Sequence, residues 1–225
     1  MSALSTRILV LGAVDIFGPA NGYQLRRELI SWDVERWANL KPGSIYSMLT
    51  TLEKQKAIER YDVALDDGRP VAVYTITESG REEFERLVYE GLATVPDSGD
   101  ALPLRVCMNF AAVLTRARFL EALAERVRLL SAGVDEFDQA VVSLKTASTV
   151  PPHVVHELGF EVALMRTQLD WVTGLQAEVR GGGLDFSDDP DHGASWAPAP
   201  DDPGWRMIDE RQRYLAEIEK LRTRA

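Results

Sequence analysis

Between Lys41 and Lys54 the chain reads Lys-Pro-Gly-Ser-Ile-Tyr-Ser-Met-Leu-Thr-Thr-Leu-Glu-Lys. Pro42 suits the first position of a helix, where a missing N–H costs nothing, although Lys41 is a poor cap. Ile45, Leu49 and Leu52 follow at i, i+4 and i+7, one apolar stripe that must face a core. Ser44, Ser47, Thr50, Thr51 and Lys54 fall outside the stripe, and Tyr46 lies at its boundary. Downstream, Val71 to Thr77 alternates as a strand does, and a second strand is expected from about Ala57 to Ala64. Asp67-Gly68 between the two runs is a strong hairpin signal and leaves Arg69 at the tip. A short helix with a face of hydroxyls, followed by a hairpin, restricts this region to very few folds.

The flanking segments narrow them further. Arg7 to Phe17 is apolar nearly all round and is predicted to be a buried helix, stopped by Gly18-Pro19. Asn21 with Gln24 three residues on makes a capping box for a second helix reaching Ser31. Trp32 to Leu40 reads as irregular or as a short strand. Thr77 caps a further helix from Glu78 to about Leu92. Three helices and a hairpin in this order predict a winged helix-turn-helix over residues 1–94.

Val95-Pro-Asp-Ser-Gly-Asp100 reads as a boundary, and the pattern then changes. Leu102 to Leu114 is predicted to be one apolar helix carrying Cys107, Met108 and Phe110. Leu120, Leu123, Val127, Leu130, Val134, Phe137, Val141 and Leu144 then alternate at spacings of three and four, the period of a coiled-coil seam. Gly133 interrupts that helix, weakening it by up to about 1 kcal/mol. After Pro151-Pro152, Val155, Leu158, Val162, Met165, Leu169 and Val172 repeat the alternation as far as Gly181-Gly-Gly183. Residues 101–181 are expected to form a helical dimerisation domain, the seam closing within one chain, between two chains, or both. Residues 182–204 hold six aspartates and no Lys or Arg and read as a flexible acidic linker. Residues 205–225 read as an amphipathic helix with Ile208, Leu215, Ile218 and Leu221 on one face, expected to dock on the dimer over an effector pocket. The fold class is thus mainly α with a small β-hairpin wing and a coiled-coil-like C-terminal domain.

Charge bears on partners. The net charge is −10 at pH 7, which works against nonspecific attraction to nucleic acid. Residues 1–90 hold 11 Lys and Arg against 14 Asp and Glu, while residues 91–225 hold 14 against 21, so the N-terminal part is the less acidic. Arg36, Lys41, Lys54 and Lys56 face only Glu53 in their stretch. Readout there would depend on geometry more than on bulk attraction. No apolar run approaches the ~20 residues needed to span a bilayer, and Met1 to Arg7 has no basic n-region of a signal peptide. The single cysteine, Cys107, cannot form an intramolecular disulfide and reads as a core residue in a reducing cytoplasm. His153 and His156 with Glu157 form too small a set for a metal site, and no catalytic triad, phosphate loop or carboxylate pair stands out. No cofactor and no enzymatic activity are expected.

Gly22-Tyr23, Pro42-Gly-Ser-Ile-Tyr46, Leu49, Leu52-Glu53, Gly68-Arg-Pro70, Tyr74 and Thr77-Glu-Ser-Gly80, taken in order, resemble the PadR family of transcription regulators over about residues 5–90. The helical region to Gly181 resembles the larger C-terminal domain of some members more loosely. The resemblance implies a homodimeric, winged-helix DNA-binding protein, often a repressor released by a small molecule. It implies that Ser44 to Lys54 enters the major groove of a double-stranded operator and that Arg69 reaches a backbone or minor groove. The expected DNA-binding set is Tyr23, Lys41, Ser44, Tyr46, Ser47, Thr50, Thr51, Lys54 and Arg69. The expected dimer seam is the heptad set above with Leu158, Val162, Met165 and Leu169. Met108, Phe110, Met165 and Trp171 are candidates to line an apolar or aromatic effector pocket, with ordinary core packing as their alternative. The sequence departs from the family at Ser47, where proline is common, and at Thr50 and Thr51, where a basic residue is common. Fewer cations leave a second reading open, a protein-interaction module built on a degenerate winged helix.

Overall fold

The computed structural model describes residues 3–64, 70–96, 100–147, 150–184, 186 and 205–224, except for the side chains of residues 205–209 and 224. In chain order the elements are α1 (Ala3–Phe17), β1 (Ala20–Asn21), α2 (Gly22–Ser31), α3 (Val34–Trp37), α4 (Pro42–Lys54), β2 (Ile58–Ala64), β3 (Pro70–Ile76) and α5 (Glu78–Ala93). They continue with α6 (Leu102–Met108), a 3-10 turn (Ala111–Val113), α7 (Arg116–Ala147), α8 (Pro152–Arg180) and α9 (Trp205–Arg224). Two compact units result, one of residues up to Leu87 joined by α9, the other beginning at Val88.

In the first unit α1 is the central post, with Ile8 to Leu11, Ala13 and Val14 all buried. Ile45, Leu49 and Leu52 bring α4 into the same core. The capping box is present: the Asn21 carboxamide accepts from the Gln24 amide at 3.0 Å, and the Gln24 side chain accepts from the Asn21 amide at 2.8 Å. The sheet is antiparallel in the order β1-β3-β2, with Ala20 opposite Tyr74 and Ile58 to Ala64 running against Ile76 to Pro70. β1 has two residues and so shows no period in the sequence; only pairing with β3 makes it a strand. The stretch expected to be irregular contains α3, entered through Asp33 in the left-handed region (φ 57°) and braced by the Trp37 indole donating to the Trp32 carbonyl at 2.8 Å.

The junction between hairpin and helices is tight. The Thr77 amide donates to the Ala57 carbonyl at 3.1 Å, and the Thr77 hydroxyl accepts from the Gly80 amide at 3.0 Å, capping α5. Gly80 lies so close that a Cβ would collide with the Ala57 carbonyl oxygen. Arg7 on α1 clamps Glu83 on α5, its Nε donating at 2.8 Å and Nη2 at 2.6 Å.

α9 differs from expectation in place. It lies on the outer face of the first unit's sheet, with Tyr214 and Ile218 buried against Val63 and Val73, and with Tyr61 and Val71 beside them. Alternation puts those four strand residues on the face turned away from α1, so α9 covers the apolar row that a two-layer winged helix would leave in water. Burying Tyr214 and Ile218 is worth roughly 1.5–3 kcal/mol each. Leu215 and Leu221, expected on the apolar face, are partly exposed instead.

In the second unit the helix expected from Leu102 to Leu114 ends at Met108. Asn109 turns its carboxamide back onto the Arg105 carbonyl at 2.7 Å, and Phe110 leaves helical geometry at φ −121°. α7 and α8 form an antiparallel hairpin in which Gly133 faces Met165. The face α7 buries is Phe119, Ala122, Leu123, Arg126, Leu130 and Val134, rotated from the predicted seam so that Leu120 and Val127 are only half-buried. Arg126 is fully buried, and its Nε donates to the Leu92 carbonyl in the last turn of α5 at 2.9 Å. The guanidinium thus sits at the negative end of that helix, and burial lowers its pKa to about 10. Burial likewise pushes the Cys107 thiol up to about 12.

Substituting Gly80 with alanine is expected to force α5 away from the β2 entrance. Thermal unfolding should report a loss of about 2–3 kcal/mol, whereas Gly43→Ala, where a Cβ meets nothing within 4 Å, should change stability by under about 1 kcal/mol.

Candidate nucleic-acid interface

Burying Ile45, Leu49 and Leu52 determines what α4 presents to water. Gly43, Ser44, Tyr46, Ser47, Thr50, Thr51 and Lys54 are all exposed. At 100° per residue, Gly43, Ser47, Thr50 and Lys54 form the crest of that face, with Tyr46 on one shoulder and Ser44 and Thr51 on the other. Lys41 is exposed at the N-cap in extended conformation, and no side chain caps the helix. The partial positive charge of the helix start therefore lies beside an ammonium, an arrangement suited to an anion.

The hydroxyls are not idle. Ser47 donates to the Gly43 carbonyl at 3.1 Å, Thr50 to the Tyr46 carbonyl at 3.1 Å and Thr51 to the Ser47 carbonyl at 2.9 Å. With their protons engaged, these oxygens face outward as acceptors and the threonines also present methyl groups. Such groups match exocyclic amines and the thymine methyl better than they match phosphates.

Cations around the face divide into tied and untied. Arg36 is paired with Asp33, and Arg60 donates to Asp62 at 2.8 Å, a hydrogen bond that raises its pKa. Lys41, Lys54 and Lys56 have no ion pair among the described residues. Lys56 follows α4 in the left-handed region (φ 60°), while its amide donates to Glu53 and that of Ala57 to Leu52, each at 3.0 Å. This is the closing motif that normally carries glycine at the left-handed position.

α2 meets α4 where Gly22 faces Tyr46, since a Cβ on Gly22 would stand 3.0 Å from the phenol ring. Tyr46 is 44% exposed over this contact, and Tyr23, the next residue of α2, is 63% exposed. Beside α4 runs an open groove of ≈550 Å³ lined by Ala3, Thr6, Lys41, Gly43, Ser44, Ser47, Met48 and Thr51. Arg69 lies outside the described residues.

The unit is thus a helix-turn-helix whose α4 exposes a polar crest with Lys54 near its end and Lys41 at its cap, with a three-stranded sheet alongside. Residues 10–86 match the transcriptional regulator PadR-like family. The N-terminal unit carries a PadR-like domain. Among solved structures, Bacillus subtilis PadR in complex with operator DNA is 18% identical, with 77% of this chain and 98% of that one covered and a TM-score of 0.35. The PadR-like regulator BC1756 from Bacillus cereus is 17% identical, with 79% and 99% covered and a TM-score of 0.34. Bacillus subtilis PadR in complex with p-coumaric acid is 17% identical, with 78% and 99% covered and a TM-score of 0.32. No curated protein matches the chain.

Within the PadR-like domain, sequence reasoning did not reach Ala3, Thr6 and Met48, which border the polar face only because α1 packs beside α4. Arg36, counted among the cations of this stretch, is paired with Asp33, three residues before it and outside the stretch. In the second unit, Leu123, Leu130, Val134 and Val162 of the expected seam are buried within one chain. Leu120, Val127, Phe137, Val141, Leu144, Leu158, Met165 and Leu169 are half-buried. Of the four residues expected at an effector pocket, Met165 lines a cleft of ≈380 Å³ with Val95, Pro96, Leu129, Leu130, Gly133, Glu136 and Phe137. Met108, Phe110 and Trp171 are not in its lining. Phe110 is core, and Trp171 is 47% exposed.

Replacing Lys56 with glycine should relieve the left-handed backbone, raising stability by about 0.5–1 kcal/mol in urea titrations.

Proposed function

We propose that this protein is a homodimeric repressor that reads a double-stranded operator through α4. The observation that carries the reading is the exposed crest of α4, with Lys41, Lys54 and Lys56 unpaired, in a domain that matches the PadR-like family. Tyr46 and the Thr50 and Thr51 methyls would touch base edges, Ser44 and Ser47 would accept from them, and Lys41, Lys54 and Tyr23 would hold phosphates. Arg69 would serve a wing contact. In this reading the protein has no catalytic role and works in the cytoplasm; among the described residues no helix is long and apolar enough to cross a membrane.

Dimerisation is needed because two reading helices must be held about 34–36 Å apart to meet successive major grooves. The second unit is suited to this. Phe160, Leu164 and Trp171 are 60%, 39% and 47% exposed along one face of α8, and Val142 on α7 is 64% exposed. A face of this kind is costly in water and self-complementary under two-fold symmetry. An effector would seat in the cleft at Met165, where Glu136 is the one charged residue of the lining and disfavours an anionic ligand. Binding there would bias the dimer between spacings that do and do not fit the operator.

Fluorescence anisotropy with the chain's own upstream promoter DNA tests the reading. Wild type should bind selectively at about 50 mM salt and weaken steeply by about 200 mM, and Tyr46→Ala should lose the selectivity. A protein partner, with DNA binding absent at both salts, would instead establish the interaction module. Trp171→Glu should turn the dimer into a monomer in sedimentation while leaving helical content unchanged; an unaltered dimer would refute that interface.

A further inference from the structure

Glu210, Tyr214, Ile218 and Arg222 follow one another along α9 at intervals of four, and all four are engaged on the first unit. Ile218 and Arg222 anchor the helix to the sheet. The first is buried with Val63 and Val73, and the second donates to the Tyr61 hydroxyl at 2.8 Å and to Glu59 at 3.2 Å.

Glu210 and Tyr214 reach a different target. The Glu210 carboxylate accepts from the Gln24 carboxamide, and the Tyr214 hydroxyl accepts from the Asn21 carboxamide at 3.2 Å. Asn21 and Gln24 are the two residues of the α2 capping box. Each carboxamide oxygen is already taken by a backbone N–H, that of Asn21 by the Gln24 amide and that of Gln24 by the Asn21 amide. Only the NH2 groups remain to each side chain, and α9 takes both. Gln24 is 3% exposed, so its NH2 depends on Glu210 where water has little access.

Between the two clamped residues lie Gly22 and Tyr23. Gly22 is the surface on which Tyr46 rests: a Cβ there would stand 3.0 Å from the phenol ring and 3.6 Å from Leu49. The backbone of α4 is held by its buried stripe, but the Tyr46 ring can still turn about its own torsions. Its direction is set by what it lies against.

We infer that α9 is a positioning element for sequence readout: Glu210 and Tyr214 hold the first turn of α2, and that turn sets the place of Tyr46. This rests on the DNA-binding reading above. Neither residue of α9 needs to touch DNA, because both act through the capping box. The specificity of α4 thus depends on a helix that follows it by some 150 residues of sequence.

The test compares, by fluorescence anisotropy, binding to the upstream promoter fragment and to a scrambled one. The double variant Glu210→Ala, Tyr214→Phe removes both acceptors but keeps the Tyr214 ring, Ile218 and Arg222 on the sheet. Its preference for the promoter should fall about tenfold, with the salt slope unchanged because no cation is lost. Partial unfolding would lower binding to both fragments alike and leave the preference intact, so the ratio separates positioning from stability. Glu210→Gln, which keeps an acceptor oxygen, should retain the preference of the wild type. In a Tyr46→Ala background the double change should cause no further fall, since coupled residues are not additive. An unchanged preference in the double variant, or a further fall in the Tyr46→Ala background, overturns the inference and leaves the DNA-binding reading intact. A wild type that binds neither fragment overturns both.

Discussion

The Ala57 carbonyl is the point to which the first unit is referred. α4 ends at the same residue, whose amide closes the last turn on Leu52. β2 begins beside it, the Thr77 amide ends β3 on it, and Gly80 starts α5 across it with no room for a side chain. One residue thereby fixes α4, the hairpin and the helix that leaves for the second unit. The angle between α4 and the sheet is held by backbone hydrogen bonds and steric exclusion, so solvent-exposed side chains are free to be chosen for recognition.

That freedom explains the chemistry of α4. A reading helix that carries many cations is attracted to any duplex, and discrimination then depends on small differences between large affinities. Here the exposed face of α4 is built of hydroxyls, methyls and one phenol, with Lys41 and Lys54 at its two ends. On the proposed function, affinity would come from outside this helix and specificity from its contacts with base edges. The acidic surface acts in the same direction, by lowering nonspecific binding.

Much of the first unit was legible because its signals are local: the stripe at Ile45, Leu49 and Leu52, the capping box at Asn21 and Gln24, and the cap at Thr77. What escaped is what depends on distant partners. β1 is a strand only by pairing with Tyr74 and Val73. α3 depends on two left-handed residues, Asp33 and Asn39, neither of which is glycine. On α7 the apolar period was visible but its rotation was not, because the buried face includes Arg126, which a count of apolar residues passes over. The resting place of α9 was equally hidden, since Tyr214 and Ile218 declare an apolar face without naming what it covers. At the candidate interface the residue types could be read directly, whereas the groove beside Ala3 and Thr6 required the packing of α1.

α9 also makes the first unit discontinuous, closed by a segment that is synthesised only after the whole of the second unit. Until it arrives, Val63 and Val73 wait in water while the ribosome completes the second unit. At about 5–20 residues per second this delay lasts several seconds or more, long enough for the second unit to fold first. The second unit can then fold before the first is complete, and docking of α9 closes the first unit's sheet only after its neighbour in sequence has formed.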